Sequence, residues 1–243
     1  MSLKNIHFIL ARPQLGENIG ASARALKNFG FNKLRIVNPR DHWPNAKAEI
    51  TSVGASDLLK MCKVFKSVDT SINDLDMVIA TTSRARNVNK KIISMEKLKS
   101  KINKKKKIGL LFGPESSGLS NDDISFADFA VKIPTNKNFQ SINLSHAVIL
   151  FCYEIFSKLS KKKNSIKSLH KNKTVKKKEI TKFVNFLIFS LDSIGFLQPE
   201  AKKRSMIRNI RNIFYRIDLT DKEIRTLLGI FTSINRSKLK NGN

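Results

Sequence analysis

Two stretches of this chain turn from apolar runs into residues suited to holding a ligand. One is Leu110-Leu111-Phe112-Gly113-Pro114-Glu115-Ser116-Ser117-Gly118-Leu119; the other is Ile133-Pro134-Thr135 followed by Gln140-Ser141-Ile142-Asn143-Leu144-Ser145. Gly, Pro and small polar residues placed directly after a β-like run present backbone N–H and C=O groups in tight turns, and glycine lets the backbone approach a ligand closely. Several familiar chemistries are missing. No Gly-x-Gly-x-x-Gly follows the first apolar run, there is no Walker A sequence, and no Gly-x-Ser-x-Gly elbow or Ser/His/Asp set stands out. The histidines, His7, His42, His146 and His170, are scattered without the spacing that gathers two on one helix face, so no metal site is expected. Cys62 and Cys152 lie far apart in apolar settings and read as reduced core thiols.

The elements that must position these turns read as an α/β fold, a parallel sheet flanked by helices. Residues 6–10, 34–37, 77–80, 108–112 and 130–133 are predicted strands, nearly all apolar rather than alternating, as in a parallel sheet covered on both faces. Residues 18–29 are predicted to form an amphipathic helix with Ile19, Ala23, Leu26 and Phe29 on one stripe, stopped by Gly30. Asn18 also has the right type and position for the N-cap of that helix.

The 243 residues carry 46 Lys plus Arg against 19 Asp plus Glu, a formal charge of +27. An excess of this size recruits polyanions by phosphate neutralisation and counterion release, so nucleic acid is the expected partner class. Biased codon usage can favour Lys over Arg, but it does not explain the shortage of acids. The charge divides unevenly: residues 157–243 hold 22 basic and 6 acidic residues, and residues 1–156 hold 24 and 13. Hence the expected organisation is an α/β domain over 1–156, a basic linker over 157–178 and a small all-α extension over 179–243. Three helices are predicted in the extension, from Phe183, Leu187 and Leu191, then Met206, Ile210, Ile213 and Ile217, then Ile224, Leu227, Leu228 and Phe231. The middle helix places Arg204, Arg208 and Arg211, with Lys203 beside them, opposite the apolar stripe. That face is either an RNA-tracking surface or simply solvated. No apolar run reaches the length of a membrane span and the first ten residues lack a signal peptide's features, so a cytoplasmic protein is expected.

In order and spacing, three motifs resemble the SpoU/TrmH branch of the SPOUT methyltransferases, which transfer a methyl group from S-adenosylmethionine to a ribose 2′-hydroxyl in RNA. They are Asn18-Ile19-Gly20-Ala21-Ser22-Ala23-Arg24, then Phe112 to Leu119 as quoted above, then Ile133-Pro134 with Ser141-Ile142-Asn143-Leu144-Ser145 and Tyr153-Glu154. Val37-Asn38-Pro39, Gly54-Ala55-Ser56-Asp57, Gly195-Phe196-Leu197, Leu227-Leu228-Gly229-Ile230 and the position of the helical extension are similar to the TrmJ-type tRNA (cytidine/uridine-2′-O-)-methyltransferase subgroup, which acts on the anticodon loop at tRNA position 32. The resemblance implies a C-terminal trefoil knot and a homodimer with sites at the subunit interface. It also implies cofactor contacts from Thr81, Thr82, Ser83, Gly113, Ile133, Gln140, Ser141, Ile142 and Leu144, and catalytic roles for Arg24, Asn18, Glu115 and Asn143.

Since a guanidinium stays protonated, Arg24 is read as gripping an RNA phosphate and stabilising the developing alkoxide, not as a base. Asn18 and Asn143 are read as pinning loops or orienting substrate. Glu115 is read as tying its loop to Arg24 or to neighbouring backbone, and Glu17 as a second candidate base. Two features depart from the family pattern: the polar run Pro134-Thr135-Asn136-Lys137, and His146 where a small residue is commoner. The alternatives are an enzyme acting on ribosomal RNA, a knotted RNA-binding protein without catalysis, and a basic architectural protein.

Overall fold

A strand that is apolar at every position needs a cover on each face, and the computed structural model, which describes residues 5–82, 90–102, 105–161 and 175–240, supplies both. In chain order the elements are β1 (Ile6–Ala11), α1 (Gly16–Asn28), β2 (Leu34–Val37), α2 (Ala46–Thr51), α3 (Ser56–Lys60), β3 (Lys63–Phe65), α4 (Val68–Ile72), β4 (Met77–Thr82), β5 (Ile92–Ile93), α5 (Met95–Lys101), β6 (Ile108–Phe112), α6 (Asn121–Ser125), β7 (Phe129–Lys132), α7 (Leu144–Lys161), α8 (Lys177–Ser193), α9 (Glu200–Tyr215) and α10 (Asp221–Lys240). The strands form one sheet in the order β3-β2-β1-β6-β4-β7-β5. Every adjacent pair is parallel. Leu10 pairs with Phe112 and Ala80 with Leu111, so β1, β6 and β4 end together at one edge of the sheet.

Alternate residues of each central strand enter opposite cores. Phe8, Leu10, Ile79, Leu110 and Phe112 pack with α1 and α7 residues such as Leu26, Val148 and Phe151, whereas Ile9, Val78, Ala80 and Leu111 pack with α8, α9 and α10 residues such as Phe183, Ile210 and Ile224. The three tail helices therefore cover the second face of the sheet and share its core. Predicted strands match closely where they are central. β3 and β5 were not predicted: they are short edge strands whose exposed residues, Val64 and Ile92 among them, carry no apolar run to read. Much of the predicted linker, residues 162–174, lies outside the described residues, but α7 continues through Lys161 and α8 begins at Lys177.

α1 ends as its sequence predicts. Gly30 has φ 73° and the Phe31 N–H donates to the Leu26 carbonyl, closing the helix terminus through a left-handed residue. Its start differs. Leu15 is the N-cap, and Asn18 lies inside the first turn and is buried. Gly20 owes its identity to helix packing: an added Cβ would fall 2.2 Å from the Ala48 carbonyl oxygen of α2.

The face of α9 is also not the one periodicity selected. Ile213 and Ile217 are exposed, while Ile210 and Tyr215 are buried. The arginine stripe leads down to Tyr215 and packs on α6. Arg204 and Arg208 pair with Asp122, and the Arg211 guanidinium stacks 4.6 Å from the Phe126 ring centroid. Lys203 pairs with Asp192 at 2.9 Å. A period locates a stripe without saying what it faces, and here pairing with Asp122 and stacking on Phe126 half-bury Arg208 and Arg211, while Arg204 stays exposed.

At the opposite sheet edge, buried Arg35 donates from Nε to His7 Nδ1 at 3.1 Å and from Nη1 to Asp74 at 2.6 Å. Burial first, and then the Arg35 charge, push His7 down to about 4, from 6.5. Because its folded-state pKa lies below the unfolded one, the unfolded chain binds the extra proton between these values, and stability falls as pH drops through that window. The loss is about 3 kcal/mol by pH 4. In urea titrations from pH 7 to 4.5, His7→Gln keeps a neutral acceptor for Arg35 and should show a visibly flatter pH dependence than the wild type; equal slopes would refute the assignment.

Candidate active site

The end of β4 and the loops after β6 and β7 lie at the same sheet edge and border a cavity of about 520 Å³. That volume suits a nucleoside-sized ligand. Of the expected cofactor residues, Thr81, Thr82, Gly113, Ile133, Gln140, Ser141, Ile142 and Leu144 all line it, and Ser83 lies outside the described residues. Thr81 and Thr82 are the last residues of β4 rather than a turn, and Thr81 Oγ1 donates to the Leu111 carbonyl at 3.1 Å.

Residues 113–119 form a closed turn in which the Gly118 N–H donates to the Pro114 carbonyl at 2.8 Å. A Cβ on Gly113 would sit 2.2 Å from Leu119 N and 2.3 Å from Gly118 C, so only glycine lets the turn fold back on itself. Apolar Phe112, Leu119, Ile133 and Ile142 line the cavity beside Ser116, Ser117 and Ser141. A slot of this kind fits adenine, whose flat rings need apolar contact and whose edges need backbone donors and acceptors.

A hydrogen-bonded chain joins the three sequence motifs. The Asn143 side-chain amide donates to Asn18 Oδ1 at 3.0 Å, and Asn18 Nδ2 donates to Glu115 Oε1 at 2.6 Å. The second carboxylate oxygen of Glu115 accepts from the Gln14 N–H at 2.9 Å. Asn143 Oδ1 meanwhile accepts from the Ser145 N–H at 2.9 Å and caps the first turn of α7. Glu115 thus ties its loop to neighbouring backbone at Gln14, one of the two partners expected for it, and also to Asn18, which was not expected. Both of its oxygens accept a hydrogen bond, which fixes the cavity wall and leaves no free carboxylate among the described residues that line it.

Arg24 lies on the exposed face of α1, roughly 9 Å along the helix from Asn18, and outside the cavity lining. Among the described residues it has no ion pair. Glu17 is a poor base: its own backbone N–H and Lys47, 3.2 Å away, hold its carboxyl below the ordinary value. Sequence reasoning missed Lys137 and Asn138, which also line the cavity. The polar departure at residues 134–137 was the signal that could have found them.

A parallel sheet whose carboxyl-end loops border a nucleoside-sized slot defines an α/β protein with a ligand site at the ends of its strands; among the described residues no group of three His, Cys, Asp or Glu could hold a metal ion. Residues 5–153 match the SpoU rRNA Methylase family, and residues 178–243 match the tRNA methyltransferase TrmJ C-terminal domain. The chain belongs to the SpoU rRNA Methylase family, in its TrmJ branch. It is 36% identical to the tRNA (cytidine-2′-O-)-methyltransferase TrmJ of Methanocaldococcus jannaschii over 231 residues, 93% of this chain and 98% of that one. It is 29% identical to the tRNA (cytidine/uridine-2′-O-)-methyltransferase TrmJ of Sodalis glossinidius, covering 97% and 93%. The crystal structure of TrmJ from Z. mobilis ZM4 superposes with a TM-score of 0.86 at 35% identity, covering 96% of this chain and 99% of that one.

Proposed function

We propose that this protein is an S-adenosylmethionine-dependent tRNA 2′-O-methyltransferase acting in the cytoplasm on a cytidine or uridine of the anticodon loop. The observation that carries this reading is the convergence of every described cofactor residue on one cavity, tied through Asn18, Glu115 and Asn143 to the helix bearing Arg24. When bound, S-adenosylmethionine supplies a methyl group on a positively charged sulfonium, a good leaving group. The residues of the chain do the rest by placement. Gly113, Ile133, Gln140, Ser141, Ile142 and Leu144 would hold the cofactor, and Thr81 and Thr82 would border it at the end of β4. Arg24 grips a substrate phosphate and stabilises the ribose 2′-oxygen as negative charge develops there. Alignment of that oxygen with the methyl group accounts for much of the remaining rate.

Homodimerisation belongs to the same reading, because it explains why Arg24 stands outside the cavity of its own chain. Its support is the outer stripe of α7, where Ile149, Leu150 and Tyr153 are exposed. That stripe is an apolar surface suited to a second copy, and the protein should sediment as a dimer. A trefoil knot is part of the proposal too, and its support is the family resemblance of the second and third motifs. For the tail, Lys203, Arg208 and Arg211 serve packing, whereas Arg204 is 79% exposed despite its pairing and remains available to phosphate.

The test is transfer of labelled methyl from S-adenosylmethionine to unmodified tRNA and ribosomal RNA, with the product nucleoside mapped. Expected is 2′-O-methylcytidine or 2′-O-methyluridine in the anticodon loop, with Arg24→Ala slower by roughly 100- to 1000-fold, the usual cost of losing one charge-stabilising donor. Base methylation, transfer to ribosomal RNA alone, or full activity in the variant would each overturn the assignment.

A further inference from the structure

Lys137 is the one cationic side chain among the described residues that line the cavity, and Glu115 is the one anionic. The two differ in how they are held. Glu115 is already satisfied by Asn18 and by the Gln14 N–H, whereas no carboxylate pairs with Lys137 among the described residues. The backbone around Lys137 is fixed in place. Its carbonyl accepts from Gln140 Nε2 at 3.0 Å, and Gln140 Oε1 accepts in turn from Lys132 Nζ at 3.0 Å, at the end of β7. The Asn138 N–H donates to Asn136 Oδ1 at 3.0 Å and the Phe139 N–H to the Asn136 carbonyl at 3.1 Å, which closes the turn that presents Lys137.

We propose that Lys137 is the counter-ion for the α-carboxylate of the methionine part of the cofactor, making residues 136–140 a subsite distinct from the adenine slot. The inference rests on the proposed cofactor. Adenine and ribose fit the part of the cavity bounded by glycine, serine and apolar groups, all uncharged. The methionyl part must then carry its carboxylate to the rim, where a cation held by an ordered turn waits without an acidic partner. An exposed Lys–carboxylate pair contributes modestly and is screened by salt, so its signature is selectivity between ligands rather than a loss of all binding.

A calorimetric cycle on the full chain measures that selectivity without reference to activity. Wild type and Lys137→Gln are each titrated with S-adenosylmethionine and with its decarboxylated analogue, which keeps adenosine, sulfonium and amine but lacks the carboxylate. Removing either partner should weaken binding roughly two- to fivefold, and removing both should cost no more than removing one. Lys137→Arg should bind S-adenosylmethionine within about twofold of wild type, and the effect should shrink at high salt. Equal affinity of Lys137→Gln and wild type for S-adenosylmethionine would overturn the subsite. If that variant instead raised only the KM for tRNA, Lys137 would be a phosphate contact and the proposal would also fall. Failure of wild type to bind S-adenosylmethionine at all would overturn the proposed function itself, a separate and recognisable result.

Discussion

Gly113→Ala should lower methyl transfer about 100-fold while leaving the melting temperature within a few degrees of wild type. The argument is steric. An alanine methyl would sit 2.2 Å from Leu119 N and 2.3 Å from Gly118 C, and both neighbours are backbone atoms that cannot rotate away. Normal packing distances require the turn of residues 113–119 to open by about 1 Å, and a displacement of that order at a reacting centre can cost 100-fold in rate. Because the turn lines the cavity, cofactor affinity should fall with the rate. β6 ends at Phe112, before the turn, so the sheet is untouched. Calorimetry with S-adenosylmethionine and thermal denaturation separate the two effects; activity within threefold of wild type would show that the turn yields without harm to the site.

Lys177→Met should destabilise the protein by about 3–5 kcal/mol, the cost of breaking a buried ion pair from one side. Lys177 is 1% exposed and its Nζ lies 2.5 Å from Asp128 Oδ1, which is equally sheltered; Asp128 Oδ2 also accepts the Val78 N–H at 2.7 Å. Burial pushes the Asp128 carboxyl up, against the pull of Lys177, the Val78 N–H and Lys90. Lys90 alone would be a weak substitute. Burial pushes it down to about 7, and its Nζ is already engaged at 2.6 Å by the Ala127 carbonyl. The backbone fastens the tail at the same place, where the Lys177 and Lys178 N–H groups donate to the carbonyls of Leu75 at 2.8 Å and Asn73 at 3.0 Å. Chemical denaturation should show the loss, with a fall in Tm of roughly 10 °C. A single cooperative transition is expected, since α8 to α10 share a core with the sheet. A loss below about 1 kcal/mol would mean that Asp128 is hydrated or neutral in the folded protein.

The same shared core explains one difference between sequence and structure. Charge density separates residues 157–243 from the rest, and read alone it marks an appendage. In three dimensions Phe183, Leu187, Ile210 and Ile224 bury against Ile9, Val78 and Leu111, so the tail is one layer of a three-layer fold. Composition reports what faces solvent on average and is silent about where an apolar stripe finds its partner. Lys177 shows this most sharply. Within a run of lysines it reads as solvated, and it is the best-buried cation of the described chain because Asp128 stands opposite it.

The sequence by itself determined the parallel sheet, since fully apolar runs require cover on both faces, and the cofactor turns, since glycine and small polar residues after a strand leave few other uses for the backbone. It also determined the family, through three motifs in order. Only the tertiary structure decided how those motifs meet, because Asn143 and Asn18 are 125 residues apart and their hydrogen bond depends on α1 and α7 packing side by side. It likewise decided that Arg208 and Arg211 of α9 pack against α6, and that Lys137 stands at the cavity rim. Local spacing fixes the conformation of a segment and the stripe it offers; which surface that stripe meets depends on every other element, and no window of sequence contains them all.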